Sequence, residues 1–166
     1  MRRWICLLIP AIMLSLFLGC ANEKTEYLQP VSVYYYRNQI AYNTADGVLA
    51  SEIREFSGFE NDLRGFLNQY LKGPYSDGLS SPFPTGGWIL DLNREDTQIH
   101  VRLSMHFSQL SGKEQTIACA CISKTIFALI DCESICLYID GSQDSEDIAI
   151  TITKEDFLLM DTTTTN

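Results

Sequence analysis

The stretch from Leu71 to Leu103, LKGPYSDGLSSPFPTGGWILDLNREDTQIHVRL, decides the predicted fold, because it contains the end of a helix, a long loop and a pair of strands. Glycine, proline and serine are dense between Lys72 and Gly87, so we predict no regular structure in that loop. Beyond it, apolar residues alternate with less apolar ones up to Leu92, which is typical of a strand buried on one face. The stretch therefore predicts a loop that leads into a β-meander.

The second strand of this meander shows the clearest alternation in the sequence. After a charged turn at residues 94–96, apolar side chains occupy one face and polar side chains the other as far as Phe107. The apolar face consists of Ile99, Val101, Leu103, Met105 and Phe107. His100 and His106 fall on the polar face. A sheet face of this kind needs a covering layer.

Two segments with helical spacing can supply that layer. Each begins with a Ser-Gly-x-Glu string, at Ser57 and at Ser111, in which the serine and glutamate side chains satisfy unpaired N–H groups of the first turn. The first helix ends at Leu71-Lys72-Gly73-Pro74, where glycine and proline stop it. The second helix starts at the Ser111 string and runs through Ile117 and Leu129 to about Asp131.

Four more strands are predicted around these elements, at residues 31–36, 48–56, 135–139 and 148–153. Residues 135–139 are apolar at nearly every position, which indicates a central strand buried on more than one side. Together the elements predict an α+β domain. Its two helices pack on one face of a mixed, mostly antiparallel sheet, as a two-layer sandwich.

The first nineteen residues have the pattern of a targeting segment, with a basic start, an apolar run and Gly19-Cys20 at the end. The string Leu16-Phe17-Leu18-Gly19-Cys20 resembles the lipobox of bacterial lipoproteins, which implies a diacylglycerol on the thiol of Cys20. A conventional signal peptide with a chance cysteine is the alternative. We expect a lipoprotein signal peptide at residues 1–19, a lipidated tether at 20–30, one domain at 31–160 and a polar tail at 161–166.

Charge excludes one class of partner. The chain of 166 residues has a net charge of −9. Loss of Arg2 and Arg3 with the signal peptide leaves ten basic residues against 21 acidic ones, a net charge of −11. Binding to nucleic acid or to an anionic lipid surface needs clustered basic residues. We therefore expect no nucleic acid partner, and a link to the membrane through lipid on Cys20.

The sequence offers little for catalysis or metal binding. His100 and His106 lie about 20 Å apart on a continuous strand, at about 3.3 Å per residue, so they cannot bind one ion. A Ser-His-Asp hydrolase would need one of these histidines, and the sequence has no Gly-x-Ser-x-Gly string. We therefore predict no catalytic residue, no metal and no cofactor.

Four cysteines remain after Cys6 leaves with the signal and Cys20 takes the lipid, namely Cys119, Cys121, Cys132 and Cys136. They lack the spacing typical of a zinc site. We interpret them as small packing residues between helix and sheet. A disulfide between Cys121 and Cys136, or between Cys119 and Cys132, is the alternative outside the cytoplasm.

Several strings resemble the GerMN domain of spore germination and sporulation proteins, over residues 31–141. They are Val33-Tyr34-Tyr35-Tyr36, Leu71-Lys72-Gly73-Pro74, Gly78-Leu79-Ser80-Ser81-Pro82-Phe83-Pro84, the strand from Ile99 to Phe107, Leu110-Ser111-Gly112 and Ile139-Asp140-Gly141. Residues 102–107 and the cysteines of the second helix depart from the usual pattern.

This resemblance implies an extracytoplasmic, membrane-tethered envelope protein without established catalytic residues. We expect protein contacts in a sporulation, germination or cell-envelope assembly at the outer face of the cytoplasmic membrane, with homo-oligomers left open. A peptidoglycan- or glycan-binding module is the alternative, favoured by the aromatic content, and an envelope hydrolase comes last. Within the loop we predict a structural role for Gly73, Pro74, Gly78, Ser81, Pro82 and Pro84.

Overall fold

The computed structural model describes residues 29–38, 48–56, 62–141 and 148–161. In chain order the elements are β1 (Gln29–Arg37), β2 (Leu49–Phe56), α1 (Leu63–Tyr70), β3 (Leu79–Ser80), β4 (Ile89–Glu95), β5 (Gln98–Leu103), a 3-10 helix (Met105–Gln109), α2 (Gly112–Leu129), β6 (Ser134–Ile139), β7 (Ile148–Thr153) and α3 (Lys154–Asp161). The predicted α+β class is confirmed.

The strands form two sheets where one was predicted. The first sheet has the order β2-β1-β3, and the second has the order β4-β5-β6-β7. All strand pairs are antiparallel except β5 with β6, which are parallel because α2 carries the chain back between them. The mixed, mostly antiparallel character that we predicted therefore holds in the second sheet.

Helix α2 joins the two sheets into one core. It packs closely against β1, and the backbone N–H of Tyr34 donates to Thr125 Oγ1 at 2.9 Å. Its central turns are buried around most of their circumference; the buried residues are Ala118, Cys119, Cys121, Ile122, Ser123, Thr125 and Ile126. Side chains of both sheets and of α1 and α2 belong to a single apolar cluster. The helix is thus an internal element and not an outer cover.

The structure differs from the predicted elements in three places. The loop between Lys72 and Gly87 does contain regular structure, since Leu79 and Ser80 form β3 against the end of β1. Strand β5 ends at Leu103, and His106 and Phe107 lie in the 3-10 helix that follows. Helix α3 was not predicted; its start is fixed by Asp156, which accepts from the backbone N–H of Thr153 at 2.7 Å.

The helix starts were predicted with mixed success. Helix α2 has the expected capping box, because Glu114 accepts from the backbone N–H of Ser111 at 3.1 Å. Helix α1 begins at Leu63, and Asp62 caps it by accepting from the N–H of Gly65. The start predicted at Ser57 lies outside the described residues.

Within the described residues, no helix has both the length and the apolar character needed to cross a bilayer.

Candidate functional site

The loop after α1 is held by a buried ion pair in β2. Arg54 and Glu52 are each at most 9% exposed, and Arg54 Nη2 lies 2.6 Å from Glu52 Oε1. The same guanidinium nitrogen donates to the carbonyl oxygen of Gly73 at 2.6 Å. Glu52 Oε2 accepts from the backbone N–H groups of Tyr75 at 3.0 Å and Ser76 at 3.1 Å. The pair therefore fixes the position of the Gly-Pro string.

The ionised form of Glu52 is the stable one in this setting. Burial alone favours the neutral acid, but hydrogen bonds from Arg54 and from the backbone of Ser76 and Tyr75 outweigh it and lower the pKa of Glu52 below its ordinary value. The Arg54 guanidinium also lies 4.0 Å from the centre of the Tyr75 ring.

Tyr35 in β1 supplies the second anchor of the loop. Its hydroxyl donates to the carbonyl oxygens of Tyr70, at 2.7 Å, and Gly73, at 3.0 Å. Phe83 packs against the rings of Tyr35 and Tyr70, with the centroid of the Tyr70 ring 5.0 Å away. Gly73 has a φ of 114°, which only glycine adopts without strain. The loop is thus attached to the core at both of its halves.

A cleft of about 710 Å³ opens between the end of α1 and the second half of this loop. Its lining consists of Asn68, Leu71, Lys72, Ser81, Phe83, Pro84, Thr85, Gly86, Gly87 and Trp88. We call it the Trp88 cleft. The volume falls within the usual range of about 300–1,000 Å³ for ligand pockets. Gly87 is required at its wall, because a Cβ there would lie 2.9 Å from atoms of Phe107 and Pro84.

Trp88 is fixed at its backbone and open at its ring. Its N–H donates to Ser104 Oγ at 3.2 Å, and its carbonyl oxygen accepts from the N–H of Ser104 at 2.9 Å. The indole is 50% exposed and packs beside His106 at a centroid distance of 5.8 Å. Met105, 49% exposed, follows Ser104 directly. At the edge of the cleft, Trp88 therefore presents apolar surface to solvent from a backbone that is held by two hydrogen bonds.

Asn68 links α1 to the edge of β4. Its side-chain nitrogen donates to the carbonyl oxygen of Ile89 at 3.2 Å, and its side-chain oxygen accepts from the N–H of Ile89 at 2.8 Å. Arg64 donates to the carbonyl oxygen of Leu90 at 3.1 Å. Helix α1 thus occupies backbone groups that a neighbouring strand would otherwise bind.

The two histidines lie in different surroundings. His100 stacks on Tyr138 with an angle of 13° between the rings, and its Nε2 lies 3.5 Å from a carboxylate oxygen of Glu95. His106 Nδ1 lies 3.4 Å from Ser104 Oγ. That hydroxyl belongs to a residue only 3% exposed and accepts the N–H of Trp88, which gives it a structural task.

The four cysteines of the domain are free and buried. Burial raises the pKa of Cys119 to about 11 and the pKa of Cys121 to about 12. Cys136 Sγ lies 3.1 Å from Thr151 Oγ1 on the neighbouring strand. These contacts agree with the interpretation as packing residues, and neither predicted disulfide is formed. In the described part of the chain, no group of three or more His, Cys, Asp or Glu side chains is placed to hold a metal ion.

The six predicted loop residues do not form one cluster. Gly73 and Pro74 lie at the ion pair, whereas Ser81 and Pro84 line the Trp88 cleft. Ser81 and Pro82 also line a neighbouring cleft beside Lys113. A Cβ on Gly78 would meet no atom within 4 Å. Their structural role stays a prediction, and Cys20 lies outside the described residues.

The roles of Arg54, Glu52 and Asn68 were not predicted from the sequence. The charged pair lies at positions two apart in a strand, so both side chains point to the same face. The spacing is present in the sequence, but charged residues on the buried face interrupt the apolar alternation that indicates a strand. The role of Asn68 depends on which strand edge α1 reaches, which no local pattern indicates.

No family model matches the sequence, and no curated protein matches it significantly. Solved structures do resemble it. The first GerMN domain of the sporulation protein GerM from Bacillus subtilis superposes with a TM-score of 0.57 at 13% identity, over 77% of this chain and 99% of that one.

The tandem GerMN domains of the same protein give a TM-score of 0.54 at 18% identity over 75% of this chain, which spans only 43% of the tandem chain. A candidate lipoprotein from Clostridium perfringens gives 0.46 at 21% identity, over 83% of this chain and 95% of that one, a score too low to support an argument about fold. The two GerM likenesses show that this domain has a GerMN-like fold.

Proposed function

We propose that the chain is a non-enzymatic lipoprotein, anchored by Cys20 at the outer face of the cytoplasmic membrane, whose GerMN-like domain makes protein contacts in a sporulation, spore-germination or cell-envelope assembly. The observation that carries the proposal is the half-exposed indole of Trp88 at the edge of the Trp88 cleft, with Met105 also exposed nearby in the sequence, at the start of the 3-10 helix. Tryptophan and methionine are enriched in protein interfaces, and tryptophan is frequent among the residues that dominate binding energy.

Two further observations support this function. The lipobox-like string ending at Cys20 supports a lipid anchor that would hold the domain beside a membrane. The solved domains of similar fold come from a protein described as a sporulation protein. Assembly proteins of an envelope must be held near their partners, and a lipid anchor with a short tether does this.

Crosslinking in membranes tests the protein-contact role. We expect the full-length chain to co-purify with specific envelope proteins after crosslinking in sporulating cells, and we expect Trp88→Ala to reduce their recovery at least fivefold. The matched control is Ile53→Ala, which removes another exposed apolar side chain, on the outward face of β2 and 63% exposed. Recovery of the wild-type chain only as a free monomer would contradict the proposal.

The anchor is tested separately. We expect Cys20→Ala to remove the lipid attachment site and to release the processed protein from the membrane fraction, because the acyl chains provide the attachment. Cell fractionation with immunoblotting measures this, with Cys136→Ala as the control that retains Cys20. A processed Cys20→Ala protein that stays in the membrane fraction would show that another segment holds it there.

Glycan binding is the second candidate, because an exposed tryptophan at a cleft can stack on a sugar ring. If the domain binds peptidoglycan, purified sacculi should retain the wild-type protein and not the Trp88→Ala variant. A protein that passes sacculi unretained excludes this alternative.

A further inference from the structure

The Trp88 cleft is a rigid groove with an apolar floor. Phe83 is wedged against Tyr35 and Tyr70, and Leu71 is buried at the end of α1. The backbone of Trp88 is bonded twice to Ser104. Because these side chains are already positioned by the core, a ligand that enters the groove need not order them, which lowers the entropic cost of binding.

The charge of the cleft differs from that of the rest of the molecule. The chain contains 21 acidic residues, but no carboxylate belongs to the cleft lining. The one charged side chain in that lining is Lys72, which is exposed and has no ion-pair partner among the described residues. An anionic group is therefore attracted to Lys72 in this cleft, although the net charge of the chain is negative.

Two polar side chains of the lining, those of Asn68 and Ser81, already bind backbone groups of the protein. The Asn68 amide, which would be the natural partner of sugar hydroxyls, already binds both backbone groups of Ile89. The Ser81 hydroxyl accepts from the N–H of Phe83 at 3.3 Å. An apolar side chain needs no hydrogen-bond partners in the cleft, because the hydrophobic effect is non-directional. The lining thus favours a peptide over a glycan.

Building on the assembly role proposed above, we infer that the Trp88 cleft receives a short segment of a partner protein, with one apolar anchor residue beside a carboxylate. The anchor side chain packs between Phe83 and Trp88, and the carboxylate pairs with the Lys72 ammonium. This arrangement follows the usual interface design of an apolar anchor in a pocket and a charge at its rim.

The test uses the fluorescence of Trp88. The chain has two tryptophans, and Trp4 leaves with the signal peptide, so Trp88 is the single tryptophan of the processed lipoprotein and is excited selectively at a wavelength that tyrosine does not absorb. That protein, held in phosphatidylcholine vesicles, is titrated with three capped pentapeptides: Ser-Asp-Leu-Asp-Ser, Ser-Lys-Leu-Lys-Ser and Ser-Asp-Ser-Asp-Ser. A fourth probe is the tetrasaccharide of N-acetylglucosamine.

We expect a saturable change of Trp88 emission with the Asp-Leu-Asp peptide, at an affinity at least tenfold above that of the other two peptides. Lys72→Gln should reduce the preference for the acidic over the basic leucine peptide at least threefold. The control is Lys113→Gln, because Lys113 is also exposed but lines the neighbouring cleft. That variant should retain the full preference.

Each contrary outcome has a defined meaning. Equal responses to all peptides, or saturation by the tetrasaccharide alone, would overturn the inference, and the second result would assign the cleft to glycans. If the inference is overturned in this way but crosslinking still recovers a partner that depends on Trp88, the proposed assembly role is supported and only the proposed peptide specificity is wrong. If the cleft binds the acidic leucine peptide selectively but crosslinking recovers no partner, the assembly role is contradicted. The inference that the cleft binds a peptide segment is then still supported.

Discussion

Arg54 and Glu52 place two opposite charges on the buried face of β2. Their side chains are 6% and 7% exposed, and both bind backbone groups of the loop after α1. A buried charge is tolerated only when its partner and its hydrogen bonds are complete. Because the pair lies in β2 and binds the loop after α1, the position of that loop and the register of β2 depend on each other.

Removing one member of the pair tests this dependence. We expect Arg54→Met to lower the free energy of unfolding by about 3–5 kcal/mol, because it leaves the Glu52 carboxylate buried without its partner. Adding Glu52→Leu to that variant should recover much of the loss. Urea unfolding followed by circular dichroism measures both. A double variant that is no more stable than Arg54→Met alone would contradict this dependence.

Acid stability depends on the same carboxylate. The pKa of Glu52 is lowered in the folded state from an ordinary value of 4.5, so its contribution to stability is fully present above that value and is lost as the pH falls through the folded pKa. We expect the urea midpoint to fall less steeply below about pH 4.5 in Glu52→Gln than in wild type. The control is Glu55→Gln, an exposed position on the same strand. Parallel profiles for Glu52→Gln and wild type would contradict this origin.

At the scale of elements, two glycines in the loop between α1 and β4 look equivalent in the sequence but differ in their backbone conformation. Gly73 has a φ of 114° and its carbonyl oxygen accepts from Tyr35 and Arg54. Gly78 has no positive φ, and a Cβ there would meet open space. One glycine is thus required by backbone conformation, and the other is not required by conformation or by space.

We therefore expect Gly73→Ala to lower the free energy of unfolding by about 1–3 kcal/mol, the usual cost of holding a residue with a Cβ in that backbone region. Gly78→Ala should change it by less than about 0.5 kcal/mol. Thermal and urea unfolding of the two variants measure the difference. Equal losses at both positions would show that this conformational argument is wrong for the loop.

Periodicity predicted most elements here and failed where another constraint competed with it. Residues 103–107 keep the alternation of a strand, yet Ser104 turns away to bind Trp88 and the chain continues as a 3-10 helix. Helix α3 could have been found from Thr153-Lys154-Glu155-Asp156, which has capping-box spacing. Strand β3 spans only two residues, so no pattern of its own can reveal it.

The candidate site was only partly predictable for a related reason. The aromatic and Gly-Pro strings indicated the correct loop, because glycine, proline and large apolar residues are signals that can be recognised locally in the sequence. The Trp88 cleft, however, is formed where residues 68–72 lie against residues 81–88. Its chemistry also depends on the hydrogen bonds between the Asn68 side chain and the backbone of Ile89. The division into two sheets likewise depends on strand pairing across the chain.

At the scale of the whole molecule, the burial of the four thiols predicts their reactivity. Burial raises the pKa of Cys119 and Cys121, and only a thiolate reacts with disulfide reagents. We expect the folded protein to react with Ellman's reagent at least a hundredfold more slowly than an exposed Gln109→Cys variant. In urea without reductant, all four thiols should react. Two missing thiols would demonstrate a disulfide and overturn the packing interpretation.

The contact between β1 and α2 joins parts of the chain that are far apart in sequence. Tyr34 and Thr125, which share a hydrogen bond, are separated by 91 positions. A ribosome makes β1 and β2 long before α2, and an isolated two-stranded hairpin is marginally stable in water. The N-terminal hairpin must therefore wait for most of the domain to be synthesised before Val33 and Tyr35 are covered. The order of synthesis thus creates an interval in which a chaperone has an apolar hairpin to protect.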